Sequence, residues 1–182
     1  MKHLLPLLFT TTALVAPAAP SPKPVPPEFL QRIEQAMPAT APAKPARDRR
    51  ILVFFLASGF KHDSIGTANQ GFEIMGRKTG AFTADFSDDM AVFTSDNLAK
   101  YDAVMFNNTT QLNFDQPGTR QALMDFVKSG KGIIGIHAAT DSFYGWPEAA
   151  GMMGGLFDGH PWHAGGTWRI RAAQGTNLAA PP

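Results

Sequence analysis

Short apolar runs punctuate the middle of this chain. Ile51-Leu-Val-Phe-Phe-Leu-Ala57 and Asp102-Ala-Val-Met-Phe-Asn107 are nearly continuous, and Ile133, Ile134 and Ile136 make a third. Runs of this length without clean polar alternation fit central strands covered on both faces, as in a parallel sheet. Residues 81–86 alternate instead and predict a shorter strand. Between the runs the apolar spacing becomes helical. Ala68, Phe72, Ile74 and Met75 lie in a segment that Asp63 or Ser64 can cap and that Thr79-Gly80 stops near Lys78. Residues 94–100 predict a brief helix. Leu123, Met124, Phe126 and Val127 give the core face of another, capped by Asp115, with Pro117 in its first turn and Gly130 at its end. Strand and helix in alternation imply an α/β fold with a doubly wound, mostly parallel sheet. Beyond Asp141 the chain is loop-rich, and residues 167–172 are expected to form a last strand.

The amino terminus follows a different pattern. Lys2 and His3 precede an apolar run over residues 4–15, and Ala16-Pro17-Ala18 offers small residues for cleavage before Ala19. This is the layout of a secretory signal peptide over residues 1–18, so an exported protein of a bacterial periplasm is expected. The run is too short to span a bilayer comfortably and carries three threonines, so no stable membrane insertion is expected after cleavage. Residues 19–49 read as a Pro/Ala-rich linker containing one helix-capable island, residues 28–37, with Phe29, Leu30, Ile33 and Met37 near one face. The island could dock on the domain or stay free of it. The domain itself is expected over residues 50–182. A formal net charge of +1 makes no case for nucleic acid. The absence of cysteine excludes disulfides, thiolate metal sites and thiolate nucleophiles.

In open α/β sheets, ligands bind outside the carboxyl ends of the strands. The polar residues that follow the apolar runs are therefore the candidates for chemistry: His62 and Asp63 after the first, Asn107, Asn108 and Thr109 after the second, and His137, Thr140 and Asp141 after the third. His62 and His137 should lie near one another. His137 can act as an acid-base group or merely hydrogen-bond a neighbouring loop, and its strand-end position alone leaves both open.

Four segments resemble the trehalose-utilisation (ThuA-like) family. They are Gly59-Phe-Lys-His-Asp-Ser64, Tyr101-Asp-Ala-Val-Met-Phe-Asn-Asn-Thr-Thr110, Gly132-Ile-Ile-Gly-Ile-His-Ala-Ala-Thr-Asp141 with Trp146-Pro147, and Gly154-Gly-Leu-Phe-Asp-Gly-His-Pro161. They occur in the family's order. The resemblance implies a flavodoxin-like, class I glutamine amidotransferase-like fold and a role in the metabolism of trehalose and related, often oxidised, disaccharides. In amidotransferases the turn after the strand corresponding to residues 132–136 carries a cysteine nucleophile. Here that strand ends in His137, so glutamine hydrolysis by a thiolate is excluded. The family domain normally continues with further strands, so an incomplete sheet is expected.

With a small carbohydrate as partner, the resemblance gives the strand-end residues roles. His137, Asp141 and His62 form the expected catalytic set, because an imidazole beside a carboxylate can serve as general base. Asn107, Asn108 and Thr109 can bind sugar hydroxyls, with Trp146 and His160 as further substrate contacts. Phe143 is expected to pack within its loop, whereas Trp146 can either pack or stack on a sugar. His62, His137 and His160, with His163 nearby, are enough imidazoles for a three-histidine site holding a divalent metal such as zinc, although their spacing is not diagnostic. Two classes of function remain. One is an exported enzyme acting on trehalose-like or keto-disaccharides by acid-base, metal-assisted or unassisted, chemistry. The other is a catalytically silent sugar-binding or remnant domain.

Overall fold

A computed structural model describes residues 23–160 and 165–167. The signal expected at residues 1–18, His163, and all but the first residue of the strand expected at 167–172 lie outside the described residues. The elements in order are α1 (Pro27–Ala36), β1 (Arg50–Phe54), α2 (Ser64–Thr79), β2 (Thr83–Ser87), α3 (Ser95–Leu98), β3 (Ala103–Asn107), α4 (Thr119–Lys128), β4 (Gly132–Ile136) and α5 (Pro147–Met153). Short 3-10 turns occur at Met90–Val92 and His137–Thr140.

All strand pairs are parallel, and the sheet runs β2-β1-β3-β4. This is the order of a flavodoxin-like doubly wound sheet. Side chains alternate across each strand, which divides the core. Leu52, Phe54, Val104 and Phe106 join Leu98 of α3 and Leu123 and Phe126 of α4 in one buried cluster. Val53 and Met105 lie on the opposite face, where α2 supplies Ile65 and Ile74, all of them buried. Toward the carboxyl edge the first cluster becomes aromatic. Phe106 stands at its centre, with Phe93, Phe143 and Phe54 at ring-centroid distances of 6.0, 5.4 and 6.3 Å.

Three expectations need correction. Among the described residues β4 pairs only with β3 and stands outermost, not in the central place its apolar run predicts. Its three isoleucines are accordingly half-buried. Gly135 in this strand is crossed by α5: a Cβ there would fall 2.3 Å from Met153 Cε. The helix expected from Asp115 begins at Thr119, because Gly118 takes a left-handed φ of 79° at its N-cap. Asp115 stays at the surface, 3.7 Å from Arg120. Asp63 makes no side-chain cap for α2; its carboxylate meets Lys23 at 2.8 Å instead.

The amino-terminal island does dock. Lys78 donates to the backbone oxygens of Glu34 and Met37, the latter at 3.0 Å, and Arg77 pairs with Glu34 at 2.6 Å. Met37 and Ile33 lie against Gly71, where α2 offers no side chain to hold them off.

At the opposite edge of the sheet from the strand ends, Asp102 gathers the chain entering β1. It accepts from the Arg50 amide at 3.0 Å and from Arg49 at 3.3 Å, and contacts Arg47. The Arg50 amide first, then the Arg47 guanidinium, hold its carboxyl down at about 2. A depressed carboxylate contributes stability above its unfolded value near 3.8, and that contribution is lost as pH falls toward about 2. Asp102→Asn should therefore cost about 1–2 kcal/mol at pH 7 and only a small part of that at pH 2, where the folded-state carboxylate is itself being protonated. Urea unfolding at the two pH values checks this; an equal cost at both would contradict it.

Candidate functional site

Because all strands are parallel, the loops after β1, β3 and β4 emerge on one edge. The middle loop is buried and binds the other two. On one side Ser58 N donates to Thr110 O at 2.9 Å, Gly59 N to Thr110 Oγ1 at 3.1 Å, and Thr110 Oγ1 to Phe60 O at 3.0 Å. On the other side Gln111 N donates to Asp141 O at 2.5 Å, and Phe143 N to Leu112 O at 2.9 Å. The loops carrying His62 and His137 are thus mounted on a common buried tongue.

His137 occupies the turn between β4 and the 3-10 turn with φ 50°. Left-handed backbone at a residue other than glycine costs about 1–3 kcal/mol and persists only where its surroundings over-determine it. Asn108, Gln111 and Phe143 share this conformation, with φ of 52°, 52° and 66°, so the strain gathers at one edge of the sheet. The turn lifts the His137 side chain off the line of β4 and displays it, as the strained elbow of α/β-hydrolases displays its nucleophile.

His137 opens into a cavity of about 400 Å³. Phe60 and His62 come from the β1 loop, Ala138, Thr140 and Asp141 from the β4 turn, and Phe157 and His160 from the segment after α5. His62 and His137 meet edge-on with ring centroids 4.6 Å apart, and Phe60 meets His62 at 4.9 Å. Phe157 contacts His160 at 4.7 Å. Among the described residues the lining holds one carboxylate and three imidazoles, with no lysine or arginine.

Tyr144 ties the segment after α5 to the β4 turn. Its hydroxyl donates to Asp141 Oδ1 at 2.7 Å and lies 2.9 Å from Phe157 O, while Phe157 N donates to Thr140 O at 2.9 Å. The ring is half exposed, but its hydroxyl end is tucked against these groups, and desolvation there together with the Asp141 bond raises the phenol to about 12. Among the described residues no hydrogen bond joins Asp141 to His137; the carboxylate is held by Tyr144.

Burial lowers the basicity of His62, and the nearby His137 and His160 lower it further, against an opposing effect of Asp141. His62 is therefore expected to titrate below 6.5 in an NMR pH series. Its midpoint should rise in His137→Gln, where one repelling imidazole is gone. A midpoint above 6.5 in the parent would contradict this.

The other expected site residues are placed differently. Asn107 is fully buried; it donates to Asn69 Oδ1 at 2.9 Å and accepts from Asn108 at 2.7 Å. Asn108 and Thr109 are also buried, and none of the three lines the cavity; Asn108 Oδ1 and Thr109 Oγ1 find no hydrogen-bond partner among the described residues. Trp146 packs in the core against Phe114 at 5.3 Å, with Arg120 over its ring, and Phe143 is buried beside it. No group of three His, Asp or Glu side chains among the described residues is arranged to hold a metal ion. His62 and His137 touch ring to ring, and His160 packs on Phe157. The aromatic lining comes instead from Phe60 and Phe157. Phe60 had a signal in the sequence, an aromatic in the otherwise polar Gly59-Phe-Lys-His loop directly after an apolar strand. Phe157 had none, since its place depends on the fold-back of the segment after α5.

No curated protein matches the chain. Among solved structures, a putative ThuA-like protein from Bacteroides uniformis is similar at 21% identity, over 55% of this chain, with a TM-score of 0.42. The chain spans 41% of the length of that protein. The family described as ThuA, trehalose utilisation, matches residues 50–180, well over half of the sequence and including every strand described above. The chain belongs to the ThuA trehalose-utilisation family.

Proposed function

We propose that the cavity binds a trehalose-like or keto-disaccharide and transforms it by acid-base chemistry centred on His137. The observation that carries this reading is the display of His137, on a strained turn at a strand end, into a cavity shared with a second imidazole and a carboxylate. An imidazole so mounted can take a proton from a sugar hydroxyl, or from a carbon beside a carbonyl, and return it later in the cycle. Asp141 faces the same cavity and offers an acceptor to substrate hydroxyls. His62, with lowered basicity, stays neutral near pH 7 and can hold a hydroxyl through a ring nitrogen. Thr140 supplies another hydroxyl contact at the cavity wall.

Incubating the purified protein with trehalose and with its singly oxidised keto form, and following loss of substrate, tests the reading. Turnover of either that requires His137 supports it. Binding without turnover would instead make this a sugar-binding protein.

A further inference from the structure

We propose that Phe60 is the platform on which a sugar ring stacks, so that the cavity selects cyclic sugars over open-chain polyols. This rests on the carbohydrate reading above and adds the feature of the ligand that is recognised. Phe60 is 70% exposed, more than the other exposed large apolar side chains, Tyr144 at 48%, Phe29 at 46% and Leu156 at 39%. Because it also lines the cavity, its open ring face is available to a ligand bound there. The mount beneath it is rigid. Buried Thr110 accepts from Gly59 N and donates to Phe60 O, which pins the backbone on both sides of the ring's attachment. The ring is thus held out on a fixed backbone, which lowers the entropy lost on stacking.

Phe60 also stands in line with the chemistry. Its ring meets His62 at 4.9 Å, and His62 meets His137 at 4.6 Å, so a row of rings leads from the rim to the proposed acid-base group. Of the other aromatics at this edge, Phe114, Phe143 and Trp146 are buried in the core, Phe157 packs on His160, and Tyr144 is tied by its hydroxyl to Asp141. Among the described lining residues none is a lysine or arginine; His62, Thr140 and Asp141 can hold ligand hydroxyls, and Phe60 offers a surface to an apolar C–H face. A pyranose presents such a face permanently, and an open-chain polyol with similar hydroxyls does not.

The test uses the full chain, with trehalose, methyl α-glucopyranoside and sorbitol as probes, in calorimetric or NMR titrations of the parent, Phe60→Ala and Phe60→Tyr. The two ring sugars should bind the parent, lose about tenfold in affinity in Phe60→Ala, and recover to within about twofold in Phe60→Tyr, which keeps the ring face. Sorbitol should bind more weakly and ignore both changes. Unchanged ring-sugar affinity in Phe60→Ala, equal affinity for sorbitol, or no ring-sugar binding by the parent would each overturn the proposal. Turnover is read separately. Ring-sugar binding that depends on Phe60, without turnover, keeps the platform and rejects acid-base catalysis. Turnover that is the same in the parent and Phe60→Ala, at sugar concentrations well below saturation, rejects the platform and keeps the catalysis.

Discussion

Replacing His137 by glutamine is expected to lower turnover by about a hundred- to ten-thousand-fold, the usual contribution of a positioned acid-base group. Glutamine keeps much of the size and hydrogen bonding of histidine but cannot titrate near neutral pH. The backbone supplies a second variant. His137 sits at φ 50°, a region that asparagine enters more readily than most residues. His137→Asn should therefore preserve the turn while removing the titrating group. Both variants should unfold cooperatively, near the parent's denaturant midpoint, and both should be nearly inactive. Substantial turnover in either, with the fold intact, would move the acid-base role elsewhere in the cavity.

The largest expected effect on stability belongs to Phe106→Ala. This side chain is fully buried and contacts the rings of Phe54, Phe93, Phe114 and Phe143. Deleting a buried phenylalanine ring typically costs about 3–5 kcal/mol, through lost transfer energy and the cavity left behind. Against a typical total of about 5–15 kcal/mol, that is a large fraction. The damage should reach the site as well, because Phe143 packs on Phe106 and its amide bonds the tongue at Leu112. Urea unfolding with an unchanged denaturant slope measures the loss. A cost below about 1 kcal/mol would mean that the neighbouring rings collapse into the space.

The sheet was legible because its strands are short apolar runs, and their parallel pairing places every carboxyl end on one edge. The meeting of His62 and His137 follows from that geometry. Other features depend on contacts between distant segments. Trp146 stands in a stretch that reads as loop, yet it joins the core because Phe114 and Phe143 come to it from separate turns. Asn107 looks like a free strand-end polar group, but α2 supplies Asn69 and the Ile65 oxygen to occupy it. The run 133–136 reads as central because its isoleucines show no polar alternation, whereas strand order, which apolarity does not encode, sets it outermost among the described residues. Asp115 and Pro117 form a plausible helix start, but backbone geometry favoured Gly118 three residues later.

The position of β1 has a consequence for how the chain reaches this state. It precedes both of its sheet partners in sequence, and Ile51 must wait for Ala103 before the β3 side is paired. Until then, residues 51–57 are an uncharged, proline-free apolar stretch, the composition that templates intermolecular β-pairing during synthesis and refolding. Arg47, Arg49 and Arg50 stand immediately before it, as charged gatekeepers do beside unavoidable hydrophobic strands. In the folded protein the same three residues converge on Asp102, Arg47 and Arg49 through their side chains and Arg50 through its amide. Neutralising these arginines should therefore lower the yield of soluble protein by more than the lost contacts with Asp102 explain.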